Sequence, residues 1–396
     1  MTLALDDRPA LTWPARFADA VLGTGTGLYL RHAALFGVLV YLAYVGIVLL
    51  VSVVQPQINW DAIPYAAIAV ERAYTDPAAL HAYAYSTIEA QVSPAEFLAL
   101  TTDGGYRSAM YADAAAFVSM LGMYRVKWLY VELLTFLSGY MNPVDALRLI
   151  SMASALVFAG VSLAWLRSER SLSMAAAFAG ILIVSSFTDA ARAATPDMLF
   201  SALLLAGLYA HRFNRELLTT LLLVLAFLVR PDNLIFLGVY SVLLVVYRRW
   251  SWGVLAAFAI CAITFFPITQ MTGQPGWWKH LYFTAVERAN TLEGYNPPFS
   301  IAAYLFGLTK QFLLAVTAQT WVGTALLALG GWALANTIGR PLDERQRVLV
   351  LGLLLCLPAK FLLVPVFDSR IYFGYLIAVF LVLAGNLRRP AAPATA

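Results

Sequence analysis

The chain has 396 residues, of which 61% are hydrophobic and only 12% charged, with a mean hydropathy of +0.75. Soluble domains carry about 25% charged residues, so an ordinary globular protein is excluded and a polytopic membrane protein is expected. The net charge of +4 is small and gives no ground for a nucleic-acid partner.

In chain order, residues 1–31 are broken by Asp6, Asp7, Arg8, Arg16 and Asp19, so no cleavable signal peptide is expected and the segment reads as a cytoplasmic N-terminus. A crossing helix needs about 20 apolar residues. His32 to Val54 meets that and opens a transmembrane domain over 32–387. Next comes a long outer loop, 55–145, punctuated by Pro56, Pro64, Pro77, Pro94 and the turn Asp103-Gly104-Gly105, with short helices between. Its stretch 128–141 is apolar apart from Glu132 but short for a crossing, so it reads as re-entrant or interfacial. Further spans are expected near 146–166, 172–188, 196–211, 216–230, 232–247, 252–271, 312–336, 347–366 and 371–387. A second outer loop, 272–311, holds Trp277, Trp278, Lys279, His280 and Arg288, and residues 388–396 form a cytoplasmic tail. The two cysteines, Cys261 and Cys356, fall inside apolar segments and read as buried hydrophobes. The expected fold is therefore all-α: a polytopic bundle of about ten transmembrane helices with two long outward-facing loops carrying juxtamembrane helices.

Short cytoplasmic connections carry the excess of Lys and Arg. Alternate connections hold arginine groups: Arg167 with Arg170, Arg212 with Arg215, Arg248 with Arg249, Arg340 with Arg345 and Arg347, and Arg388 with Arg389. The opposite connections hold single arginines near aspartates: Arg192 between Asp189 and Asp197, Arg230 by Asp232, and Arg370 by Asp368. Both termini are thus expected in the cytoplasm of a cell membrane, with the active face outside. That face collects Asp61, Asp189, Asp197, Arg230, Asp232, Lys279, Arg288, Asp368 and Arg370 beneath loops rich in Trp and Tyr. Arginine forks suit phosphate and one carboxylate can serve as a base, so a phosphate-bearing lipid substrate is indicated.

Four stretches resemble the GT-C glycosyltransferases: Asn59-Trp60-Asp61 after the first span, Pro196-Asp197-Met198-Leu199-Phe200 opening a helix, Arg230-Pro231-Asp232-Asn233-Leu234, and Asp368-Ser369-Arg370-Ile371-Tyr372. Within that superfamily the chain is similar to the bacterial polyprenyl-phosphate-sugar group that includes the aminoarabinose and protein mannosyl transferases. The resemblance implies transfer from a polyprenyl-phosphate-linked sugar to an envelope glycan, lipid or protein acceptor. Asp61 would act as the base or orient the acceptor, with Asp197, or Asp189, supporting it. Arg370 and Tyr372 would approach the donor phosphate, helped by Lys279 or Arg288, while Arg230, Asp189, Tyr65 and Trp60 would touch substrate. No Asp-x-Asp occurs, and Asp61 is followed by Ala62 where one branch carries an acidic pair, so a divalent metal stays open as a cofactor.

Each residue also has a plainer reading. Asp61 fits a solvated loop acid or a helix cap near Pro64. Thr195-Pro196-Asp197 fits a helix start with Thr as cap. Arg230-Pro231-Asp232 fits a helix end and restart, and Asp368 with Arg370 fits a simple ion pair. A transporter or flippase is the alternative class, expected to place ionisable groups near the bilayer midplane; Lys360 and Glu132 come nearest to that.

Overall fold

Twenty α-helices account for almost all regular structure in the computed structural model, which describes residues 13–102, 104–337 and 341–387. Among these residues no β-strand forms, only an isolated parallel bridge between Gln57 and Ala193. Of the residues used above, Asp6, Asp7, Arg8, Asp103, Arg340, Arg388 and Arg389 lie outside the described residues.

The helices are, in order, α1 (Trp13–Val54), α2 (Ala62–Val70), α3 (Pro77–Glu89), α4 (Pro94–Thr102), α5 (Gly105–Ala112), α6 (Ala114–Ser119), α7 (Gly122–Arg125) and α8 (Trp128–Ser138). They continue with α9 (Pro143–Ser168), α10 (Ala175–Val184), α11 (Phe187–Arg192), α12 (Asp197–Arg212), α13 (Glu216–Val229), α14 (Asn233–Val246) and α15 (Trp252–Met271). The last five are α16 (Trp277–Leu281), α17 (Ile301–Ala318), α18 (Trp321–Thr337), α19 (Glu344–Leu363) and α20 (Phe373–Asn386). Among the described residues, five segments are long and apolar enough to cross a membrane: Arg31–Val54, Pro143–Ser168, Trp252–Met271, Ile301–Ala318 and Glu344–Leu363. This is a membrane protein whose helices offer apolar faces to a lipid bilayer.

Local chemistry sets the helix ends. Asn142, Ser251 and Ser300 cap α9, α15 and α17 through their side chains. Asp343 and Gln346 form a capping box at α19. Two expected spans break. The run read as 312–336 is two helices parted at Gln319-Thr320, where Gln319 is extended and this polar pair bonds Ser369 instead of continuing a helix. The run read as 172–188 stops at Val184, because Ser186 turns into the left-handed region at φ +65° before α11 begins.

The long helices run between two ends. At one end Arg192 Nε donates to the Gln55 carbonyl, Arg148 reaches the Val53 carbonyl, and α7 meets the end of α15, where a Cβ on Gly122 would lie 2.2 Å from the Gly273 oxygen. Both ends of α8 stay at this end, since Lys127 precedes it beside the Tyr124 ring and the chain after it returns at Arg148. At the opposite end Arg212 pairs with Glu169, Ser171 donates to the Ala384 carbonyl, and His211 sits between the Tyr240 and Ser251 hydroxyls at 2.8 and 3.2 Å. Helix α17 is bonded at the first end: Tyr304 bonds the Leu362 carbonyl, Gln311 bonds the Phe367 N–H, and Gln319 behind it bonds Ser369. The core between the ends is aromatic, with Phe158, Phe187 and Phe373 mutually packed and Tyr375 between Phe200 and Phe236.

Candidate active site

Asp61 stands at the N-terminus of α2 but does not cap it. Its carboxylate turns instead into the protein. Tyr124 Oη donates to Oδ1 at 3.1 Å and Arg370 Nη2 to Oδ2 at 2.9 Å. Arg370 uses Nε on Asp368 at 2.7 Å and lies 3.4 Å from Asp197, while its Nη1 is buried without a partner. Asp197, only 2% exposed in the first turn of α12, is also held by Arg230. Arg230 forks onto Asp232 with two bonds of 3.2 Å, and Asp232 accepts from the buried Lys360 at 2.7 Å. One ionic chain thus links Tyr124, Asp61, Arg370, Asp197, Arg230, Asp232 and Lys360 across segments some 300 residues apart in sequence.

The chain is assembled from breaks between helices. Arg230 is extended between α13 and α14, and Asp368 caps the short turn that carries Arg370. A charged side chain is tolerated inside such a bundle only when paired and hydrogen-bonded. The helix-start reading of Asp197 is partly overturned: Thr195 does not cap α12, and its hydroxyl is buried and unpaired.

Lys127 was not anticipated as a site residue. It precedes α8 with its ammonium over the Tyr65 and Tyr124 rings, at 5.4 and 4.8 Å, and has no ion-pair partner among the described residues. The four carboxylates Asp61, Asp197, Asp232 and Asp368 are matched by Arg230, Arg370, Lys360 and Lys127, and of these cations only Lys127 touches no carboxylate. The hydroxyls of Tyr65 and Tyr130, whose rings meet at 4.9 Å, are likewise buried without acceptors. Burial would raise the Asp61 pKa, but the charges of Arg370 and Lys127 outweigh it and hold the carboxyl below its usual range. Burial lowers Lys127 to about 8, aided by Arg230 and Arg370 and opposed by Asp61. His280 is pushed down to about 4 by burial and by Lys127, which keeps it neutral.

The other anticipated residues fall around this chain. Trp60 is buried edge-on against Tyr106. Tyr372 is fully buried, stacked at 4.2 Å on Trp321 with its hydroxyl on the Val366 carbonyl, so it builds the floor and does not present a polar group. Arg288 is exposed and lies over the Tyr106 ring at 4.6 Å, and Lys279 on α16 has no ion-pair partner among the described residues; neither joins the chain. Asp189 is exposed, without an ion pair among the described residues, and lines a cavity of about 190 Å³ that also touches Asn59, Asp368 and Arg370. Arg125, beside Tyr124, faces away and pairs with Glu71 at 2.8 Å in a separate cleft.

A divalent ion does not fit the ionic chain. Each of its carboxylates already bonds an arginine or lysine, and no group of three His, Cys, Asp or Glu able to hold a metal occurs among the described residues. What the arrangement offers chemically is an ionised carboxylate beside a hydroxyl, with a set of unsatisfied donors on one side of it. Comparison with protein-family models, curated proteins and solved structures finds no match to this chain.

Proposed function

We propose that this protein is a membrane glycosyltransferase that moves a sugar from a polyprenyl-phosphate-linked donor to an acceptor hydroxyl or amine on the outer face of the membrane. The observation that carries the reading is the position of Asp61, between a tyrosine hydroxyl and an arginine, next to donors that lack acceptors: Lys127, Arg370 Nη1, Tyr65 and Tyr130. Arg370 Nη1 and the two tyrosine hydroxyls are buried donors without acceptors, costly unless a ligand satisfies them, and an anion beside the half-buried Lys127 ammonium is a ligand that accepts from such donors.

The residues divide the work accordingly. Lys127 and the free edge of Arg370 hold the donor phosphate. As Arg370 engages it, Asp61 loses part of its neutralising partner, and its basicity rises toward that of an ordinary carboxylate. Asp61 then takes the proton of the acceptor, whose oxygen or nitrogen bonds the anomeric carbon while the bond from that carbon to the phosphate oxygen breaks. The departing phosphate keeps the electron pair and is stabilised by Lys127 and Arg370. Asp197, Arg230, Asp232 and Lys360 fix Arg370 from behind.

The two-ended bundle supports ten crossings: residues 32–54, α9, the segment 172–184, α12 to α15, and α18 to α20. Asp61 and Arg370 are bonded at one end, so an even number of crossings must separate them. Eight do if α8 and α17 stay at that end. With arginine groups at the other end, the Asp61 end faces outward and both termini lie in the cytoplasm.

In liposomes containing polyprenyl-phosphate sugars, Asp61→Asn is expected to reduce transfer by about 10²–10⁴-fold, far beyond what the accompanying fall in detergent melting temperature from the weakened Arg370 pair accounts for. Undiminished transfer by this variant would sink the assignment. A transporter of lipid-linked or small polar substrates is the second reading, favoured by the buried Lys360 ammonium paired with the half-buried Asp232. Sugar counterflow without a new glycosidic bond in the same liposomes decides for it.

A further inference from the structure

Arg370 separates two environments of opposite character. On the Asp61 side the unsatisfied groups are donors, as described above. On the Asp368 side lies the cavity of about 190 Å³, lined by the Gln57–Ala193 bridge, the left-handed turn at Ser186 and the break between α17 and α18. The carboxylate of Asp189 has no hydrogen-bond or ion-pair partner among the described residues, and the Asn59 oxygen is buried without a donor. Gln319 gives its carbonyl to the Ser369 N–H at 2.8 Å, which leaves its amide N–H groups unused. Phosphate is a poor occupant here, because Asp189 and Asp368 both line the space.

We infer that this cavity is a sugar-ring subsite, in which Asp189, Asn59, Gln57 and Gln319 take the hydroxyls of one pyranose or furanose ring. A ring hydroxyl both donates and accepts, and a rim of carboxylate, amide oxygen and amide N–H satisfies both roles. The volume admits one ring and not an extended glycan. The inference rests on the glycosyltransferase reading for its biological meaning, yet it concerns binding, which is measured without any transfer.

Saturation-transfer NMR on the full chain in nanodiscs tests it, with methyl α-D-mannopyranoside, methyl β-D-glucopyranoside and glucosamine as probes and methylamine as the cation control. At least one sugar is expected to bind, and Asp189→Asn and Gln57→Leu should each weaken it about tenfold or more. Both side chains are exposed, so the melting temperature should hold. Binding of inorganic phosphate should also be unchanged in these variants and be lost in Lys127→Met. Displacement of the bound sugar by the lipid-linked sugar, but not by the bare polyprenyl phosphate, assigns the subsite to the donor ring; no displacement by either assigns it to the acceptor. If none of the sugars binds, if methylamine binds as well as glucosamine, or if neither substitution weakens sugar binding, the subsite is overturned. Loss of transfer with intact sugar binding would overturn the enzymatic reading alone.

Discussion

Lys127 is the residue whose chemistry departs furthest from its sequence appearance. A lysine beside a run of apolar residues reads as an interfacial anchor, yet this one lies on two tyrosine rings with no counterion. Its lowered pKa of about 8 means that the folded state disfavours the ammonium relative to the unfolded chain. The resulting penalty is fully present below that value and disappears above the ordinary lysine range. Lys127→Met should therefore melt no lower than the parent at pH 7 while losing phosphate binding, and a large fall in melting temperature would count against an unpaired ammonium. In the parent, phosphate affinity should decline as pH rises through the titration of Lys127. The bound anion favours the ammonium, so the midpoint seen with ligand should lie above 8. Isothermal titration between pH 6 and 10 reads this directly, and a flat profile would remove Lys127 from the anion site.

At the scale of elements, α7 matters most. It is one turn long, with Tyr124 on the site and Arg125 in the neighbouring cleft, so its placement decides whether the Tyr124 hydroxyl reaches Asp61. That placement depends on Gly122, where any side chain would collide with the Gly273 carbonyl. The backbone after α15 cannot yield as a flexible side chain would. Gly122→Ala should destabilise the protein by about 1–3 kcal/mol and slow transfer by shifting Tyr124. A variant with parental melting temperature and rate would show that the contact is slack.

Across the whole molecule, the ionic chain ties α2, α12, α14, α19 and the turn before α20 into one unit. Removing one partner of a buried pair leaves the other charge stranded, which costs about 3–5 kcal/mol. Lys360→Met should be destabilised by that order, and adding Asp232→Asn should restore most of the loss, as read from denaturation in detergent. Equal stability of single and double variants would mean that the pair is not coupled. The proposed orientation is tested by single cysteines, with Cys261 and Cys356 both buried and silent. Gln57→Cys should react with a membrane-impermeant maleimide from outside intact cells and Asn214→Cys should not; the reverse pattern inverts the topology.

Composition and the length of its apolar runs were enough, from the sequence alone, to establish an all-helical membrane protein, because burial in lipid demands both. Asp61, Asp197, Arg230 and Arg370 could be picked out for the same reason: a charge between apolar helices is rare enough to be conspicuous. Lys360 carried that signal too. Tertiary structure decided the rest. Only packing could show that Asp61 turns away from its own helix toward Arg370, that Tyr372 and Arg288 stand apart from the ionic chain, and that Lys127 lies over the Tyr65 and Tyr124 rings beside it. Hydropathy likewise could not find the break at Gln319-Thr320, since both flanks are apolar and the interruption is stabilised by Ser369, some 50 residues away in sequence. Partner choice among distant charged groups depends on which helix ends meet, and no local pattern in the chain encodes that.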